Sequence, residues 1–312
     1  MSINPIELVN EQLAGRHEVP PAATGLPADR PRGAFRAGAA VFVQNRLAVA
    51  GLAIVVLLAL FCFGGPLLYH TDQVDVNLAN ATLPPGAGHP LGTDETGYDE
   101  LGRLMVGGRA SLTIGFAAAL IATLVGTLWG AVSGFFGGIV DAVLMRVVDA
   151  LLAIPILFLL LYLVTIVRPS VTVMIVVLGL TAWLIPARLI RGESLTLRMR
   201  EYVQAVRMMG GSSWRSVLRH ILPNAAGTVI VNATFQVADA ILLVAYLGYL
   251  GLGISPPATD WGGMLSRGTN FIFPNYWWLI YPPGIVIVLV VVAVNFVGDG
   301  LRDAVEVRLR RR

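Results

Sequence analysis

The stretch Arg191–Ala225, RGESLTLRMREYVQAVRMMGGSSWRSVLRHILPNA, is too polar to cross a bilayer and too patterned for a plain linker. At 100° per residue Tyr202, Ala205, Val206 and Met209 share one face and Arg200, Gln204 and Arg207 the other, which predicts a short amphipathic helix opening at Glu201. Gly210-Gly211 stops it, Ser212 or Ser213 can cap a second helix beginning at Trp214, and Pro223 sets the entry into an apolar run. Helix, glycine break, helix is a pattern with two readings. One is an interfacial helix lying on anionic lipid. The other is a knob, apolar and aromatic with Arg at its flanks, that inserts into a groove on a partner.

The rest of the chain says what such a knob is attached to. Of its 312 residues 56% are hydrophobic and 13% charged, with a mean hydropathy of +0.73. Soluble domains hold roughly 45–50% apolar and about 25% charged residues. A water-soluble sphere of this size would expose large apolar patches, so the composition predicts a membrane protein. All 22 basic residues counted as Lys+Arg are Arg. Without lysine there is no G-x-x-x-x-G-K-[ST] phosphate loop and no Schiff-base chemistry, so nucleotide must be handled by another subunit. The net charge of +3 carries no nucleic-acid signal, and the single Cys62 sits in an apolar run where no intrachain disulfide is possible.

Charge-free stretches mark six predicted spans, since about 20 apolar residues cross the hydrocarbon. They are Leu47–Leu68, Ala110–Gly134, Val143–Val164, Ser170–Ile190, Ala225–Leu247 and a sixth from Tyr281 to Gly298, behind Tyr276, Trp277 and Trp278. Pro282 and Pro283 fit a first helical turn, which has no N–H partner to lose. Residues 1–34, rich in Pro, Ala and Gly, are expected to be a disordered arm with no signal-peptide core, leaving the first span as an uncleaved anchor. Residues 35–109 comprise that span and an acidic outer loop, 110–301 a five-helix core interrupted by the polar segment at about 192–223, and 302–312 a basic tail.

With the N-terminus inside, eighteen arginines face the cytoplasm and four, Arg103, Arg109, Arg168 and Arg267, face out. The positive-inside rule then places both termini in the cytoplasm and the polar segment on the cytoplasmic face. Asp239 falls near the middle of the fifth span, where an ionised side chain costs about 2.5–3.5 kcal/mol on insertion scales, so it either lines a watery path or pairs helices together. Arg146 and Asp149, three apart, are expected to pair along one helix turn. His17, His70, His89 and His220 all lie outside the spans, which excludes an intramembrane serine protease. Phe296-Val297-Gly298-Asp299 lacks the first glycine that an intramembrane aspartyl protease needs.

Several ordered motifs resemble one family. Gln204-Ala205-Val206, then Gly210, then Ile221-Leu222-Pro223 is similar to the coupling segment of ABC importer permeases, E-A-A followed by Gly and I-x-L-P. Asn45-Arg46-Leu47-Ala48, His89-Pro90-Leu91-Gly92-Thr93-Asp94, Arg103-Leu104, Ala187-Arg188-Leu189, Arg219-His220-Ile221-Leu222-Pro223-Asn224, Leu250-Gly251-Leu252-Gly253 and Trp261-Gly262 resemble the C-type permease of its dipeptide/oligopeptide branch over residues 35 to 309. Tyr98 stands where that branch usually has Arg, Val244 where it has Glu, and Gln204 where the coupling segment has an acid.

The resemblance implies an all-α polytopic protein of type I ABC importer fold, forming half of a translocation pathway for di- or oligopeptides in a prokaryotic inner membrane. Implied partners are a B-type permease, two ATPase subunits that hold the ATP and Mg, an extracytoplasmic solute-binding protein and the lipid bilayer. Glu201, Tyr202, Gln204, Ala205, Val206, Met209, Gly210 and Gly211 would couple to the ATPase. His89, Asp94, Arg103 and Trp261 would shape the outer mouth, and Asp239, Asp149 and Arg146 would line the pathway or pair helices. No catalytic residue, metal site or cofactor is expected in this chain. The competing reading is an ion-coupled secondary transporter or channel, to which broken helices and an intramembrane Asp are suited. A self-sufficient carrier has no need of the cytoplasmic helix-break-helix segment.

Overall fold

Asn45 interrupts the first helical stretch: its side-chain oxygen accepts the N–H groups of Leu47 and Ala48 at 3.1 and 3.2 Å, ending α1 (Ala34–Gln44) and starting α2 (Arg46–Leu68). Its amide also donates to Asp303, so the Asn45-Arg46-Leu47-Ala48 motif is at once a helix cap and a tie to the last helix. The computed structural model of the chain describes residues 34–272 and 275–310. The arm expected over 1–34 therefore lies outside the described residues up to position 33, as do Arg311 and Arg312 of the basic tail.

After a polar loop, α3 (Glu100–Phe136) runs to Gly137, whose φ of +66° lets the chain turn into α4 (Gly138–Leu152). Then come α5 (Ile156–Ile166), α6 (Val171–Ala182), α7 (Leu184–Leu197), α8 (Glu201–Met208) and α9 (Ser213–Ser216). A wider turn over Val217–Ile221 leads into α10 (Leu222–Leu247), followed by α11 (Trp261–Thr269) and α12 (Tyr281–Arg310). Five helical stretches are long and apolar enough to cross a membrane, and a sixth crossing results if α4 and α5, bent by 80° at their junction, count as one. The all-α architecture expected from the sequence is the one observed, and no strand occurs among the described residues.

Three expected spans change shape. The second begins at Glu100 rather than Ala110, because Asp99 caps it by accepting the N–H of Gly102 at 2.8 Å and because the charged residues of its first turns are buried. At about 1.5 Å per residue the helix is roughly 55 Å long, well beyond the ~30 Å hydrocarbon. The third is not one straight helix, since Pro155 has no N–H to continue α4. The fifth is not separated from the short helix before it: the helical run that starts at Ser213 passes Pro223 without a break and ends at the kink at Gly251. The turn at Val217–Ile221 widens so that Leu222 donates to the Val217 carbonyl, and the Asn224 amide reaches the His220 carbonyl at 2.6 Å.

The long α3 is the centre, packed against α6, α7 and α10, while α12 joins α2 to α10. Lipid offers tails as apolar as Leu, so helix association here rests on close approach. Gly126, Gly130 and Gly134, spaced by four, give α3 a smooth stripe against α7. A Cβ on Gly126 would stand 2.7 Å from the Trp183 carbonyl oxygen, and one on Gly134 2.6 Å from that of Arg191.

Candidate functional site

On the polar side of the molecule, α8 ends as its glycines require. Gly210 has φ +79°, its N–H donates to the Arg207 carbonyl at 3.1 Å, and the N–H of Gly211 donates to that of Val206 at 2.9 Å. That pair of bonds closes the helix with the two carbonyls that have lost their intrahelical donors. Ser212 caps the next helix by accepting the N–H of Arg215 at 3.2 Å. The anchor is a residue the periodicity argument passed over: Val203 is fully buried, against Leu197, Phe135, Val217 and Ile221. Polar and aromatic contacts reinforce it. Arg198 donates to the Gly134 carbonyl at 3.1 Å, the Arg207 guanidinium lies 5.6 Å from the Phe135 ring centre, and Tyr202 packs on His220.

The expected apolar face is therefore split. Ala205 and Val206 lean half-buried on the body of the protein, whereas Tyr202 and Met209 point outward with Glu201, Gln204 and Gly210. Met208 and Met209 are 85% and 79% exposed, and Trp214, held edge-on to Phe136, is 55% exposed. Gln204 takes the exposed place of the family's acid and donates weakly to the Met199 carbonyl at 3.3 Å.

At the opposite end, His89–Asp94 folds into a scaffold with α3 and α11. Asp94 accepts the Thr96 and Tyr98 N–H groups at 2.9 and 3.0 Å and stands 3.6 Å from the Arg103 Nε. Arg103 covers the Tyr98 ring at 3.9 Å and donates to the Pro257 carbonyl at 2.6 Å, so the aromatic that replaces the family's Arg supports another Arg. His89 joins neither of them: it meets Asp99 at 2.9 Å, which also accepts the Tyr69 hydroxyl at 2.9 Å. Burial, then the bond to Asp99, pushes the Tyr69 hydroxyl up to about 12. Trp261 is fully buried and donates to the Leu104 carbonyl at 2.9 Å. Next to it Asp260 caps α11 by accepting the Gly263 N–H at 2.8 Å; burial pushes its carboxyl above the usual range, against the pull of its backbone donors. Asp94, Arg103 and Trp261 are thus buried behind the surface at this end, holding the loops.

Between the two ends, Asp149 pairs with Arg188 of α7 rather than with Arg146. Arg146 forms no ion pair among the described residues. A stronger link that sequence reading missed is Arg191, whose Nε and Nη2 grip both oxygens of Asp141 at 2.6 Å. Asp239 lies in the last third of α10, exposed to a cavity of about 440 Å³. Val244, at the family's Glu position, is fully buried among Ile114, Leu178 and Leu247.

A long central helix, a bent crossing and a glycine-capped amphipathic segment at one end define a polytopic permease subunit of type I ABC importer fold. Residues 126–311 match the model of the family described as binding-protein-dependent transport system inner membrane component, and residues 35–85 that of the N-terminal TM domain of oligopeptide transport permease C. The chain is 42% identical over 267 residues to the oligopeptide transport system permease protein OppC of Escherichia coli (strain K12), covering 85% of this chain and 88% of that one. It is 39% identical to OppC and 38% identical to the dipeptide transport system permease protein DppC of Bacillus subtilis (strain 168), covering 86% of this chain in both cases and 88% and 84% of theirs. The chain belongs to the dipeptide/oligopeptide permease family of binding-protein-dependent transport systems.

Proposed function

We propose that this permease forms half of an inner-membrane pathway for di- and oligopeptides. A B-type permease supplies the other half, two ATPase subunits hold ATP and Mg, and a solute-binding protein delivers cargo from outside. The names of the relatives support peptide as cargo and favour an importer over an ion-coupled carrier or channel. Both termini and α8 face the cytoplasm, a reading supported by the division of eighteen arginines against four.

The observation that carries the coupling role is the outward set Tyr202, Met208 and Met209 on α8, whose underside is fixed by Val203, with Trp214 exposed beside it on α9. Adaptable Met side chains on a rigid base suit a groove that must keep its grip while it moves. ATP draws the ATPase pair together, α8 follows its groove, and the helices behind it swing between outward and inward access.

Cysteine cross-linking tests this. In a Cys62→Ala background, Met209→Cys should join the ATPase on oxidation with a partner cysteine in its groove. Leu78→Cys should react with an impermeant maleimide from outside and Arg200→Cys only from inside. A cysteine at 209 that reacts with lipid-phase reagents and never with the ATPase would assign α8 to the membrane surface instead.

A further inference from the structure

The cavity beside Asp239 has a chemistry of its own. It opens where two proline breaks meet α10: Pro155 marks the bend between α4 and α5 on one wall, and the α6–α7 junction before Pro186 forms another. Pro186 has no N–H, so the Ala182 carbonyl four residues earlier loses its helical donor. Gln236 fills the vacancy, its Nε2 donating to that carbonyl at 2.8 Å. A carbonyl can only accept, so one of the two Gln236 amide N–H groups is committed there, which fixes the amide's orientation and leaves its Oε1 free to accept. Thr181 likewise spends its proton within its own helix, on the Val177 and Leu178 carbonyls at 2.8 and 3.1 Å.

What remains for a guest is a set weighted towards acceptors. Asp239 brings a carboxylate that forms no hydrogen bond or ion pair among the described residues, and no Arg or His lines the space. One and two turns further along the same face of α10 stand Leu243 and Tyr246, both lining the cavity. A carboxylate, spare amide and hydroxyl oxygens and an aromatic face are what an ammonium group uses: charge, acceptors and a π surface. An anion would meet the Asp239 charge with no cationic side chain to offset it. The volume of about 440 Å³ falls in the roughly 300–1,000 Å³ range of small-molecule sites.

We infer that this cavity is a transit site for a cargo ammonium group, the free amino terminus of a peptide, held by Asp239 with Gln236 and Tyr246 around it. The inference rests on the import reading for the identity of the cargo and on the cavity alone for the charge of the group it takes. Asp239 lies about 12 Å along the helix from Leu247, deep enough that a cation arriving there has left bulk water. Its own desolvation cost falls when an opposite charge arrives, so site and guest favour each other.

The test uses inner-membrane vesicles holding the full chain with its partner subunits, without added binding protein. Leu243→Cys in the Cys62→Ala background places a thiol in the cavity, and its rates with trimethylammonium-ethyl and sulfonato-ethyl methanethiosulfonates are compared. The cationic reagent should react faster, and Asp239→Asn, which keeps the side-chain shape, should cut that preference about tenfold. Trialanine should protect the thiol, and N-acetyl-trialanine at the same concentration should not. Equal protection by both peptides, a preference unmoved in Asp239→Asn at normal abundance, or protection by Na⁺ in place of trialanine would overturn the inference. ATP-driven trialanine uptake in the same vesicles, with binding protein added, is scored separately. Protection without uptake would remove the import reading and keep the site, and uptake without protection would do the reverse.

Discussion

Arg191 holds Asp141 through two hydrogen bonds of 2.6 Å, and Ser133 binds the same carboxylate, so the start of α4, the end of α3 and the middle of α7 meet on one group. The fork of a guanidinium matches both carboxylate oxygens, which a single ammonium does not. Arg191→Lys should therefore lower stability by about 1.5–3 kcal/mol, the usual worth of a hydrogen bond to a charged partner. Asp141→Asn should do much the same, and the double variant little more than either alone. Thermal unfolding of the detergent-solubilised protein measures all three, and additive losses would show the two residues to be uncoupled.

Gly210 separates two kinds of cost. A side chain there would meet nothing within 4 Å, so any penalty comes from the backbone at φ +79° and not from crowding. Gly210→Val should cost about 1–2 kcal/mol locally and uncouple ATP hydrolysis from uptake, while Gly210→Asn, which tolerates the left-handed region, should retain most transport. Similar transport rates in the two variants would show that the turn geometry is not what matters.

Gln236 and Pro186 make a compensating pair. Gln236→Leu leaves the Ala182 carbonyl without a donor and should destabilise by about 1–3 kcal/mol. Adding Pro186→Ala restores an N–H four residues after Ala182 and should recover most of that loss. Unfolding midpoints of the single and double variants decide it, and the absence of rescue would mean that Gln236 acts by packing.

Tyr69 supplies a pH signature of the scaffold around Asp99. Its folded value near 12 lies above the ordinary 10, so the stability it contributes is whole below about pH 10 and is lost as the pH rises towards 12. An absorbance titration should show one late tyrosine step. Tyr69→Phe should delete that step, and Asp99→Asn should move it to lower pH.

The parts legible in the sequence are those written in local periods. The glycine-stopped helix at Glu201–Met208, its Ser212 cap and the left-handed Gly210 follow from spacing within one loop. Long-range partners leave no such trace: Asp149 finds Arg188 thirty-nine residues away rather than Arg146 three away, because the pair forms between helices. Val203 was hidden for a related reason. A face drawn by periodicity says which residues group together, and not which group turns inward. Tyr98 and Val244 departed from the family pattern without explanation until their neighbours were visible, one under Arg103 and the other inside the apolar core. Asp99 escaped notice because a helix cap, a tyrosine partner and a histidine partner converge on it from three separate segments.

The helical run from Ser213 to the break at Gly251 has a mechanical consequence. Its length up to Leu250 makes a rod of roughly 57 Å. A tilt of only about 5° about its Ser213 end would carry its far end sideways by roughly 5 Å, close to the pitch of a helical turn. Amplification of that kind needs no hinge along the way, and the first flexible joint comes at Gly251, where φ is +79°. Small angular changes at one surface of the bilayer are thereby converted into atomic-scale displacements at the other.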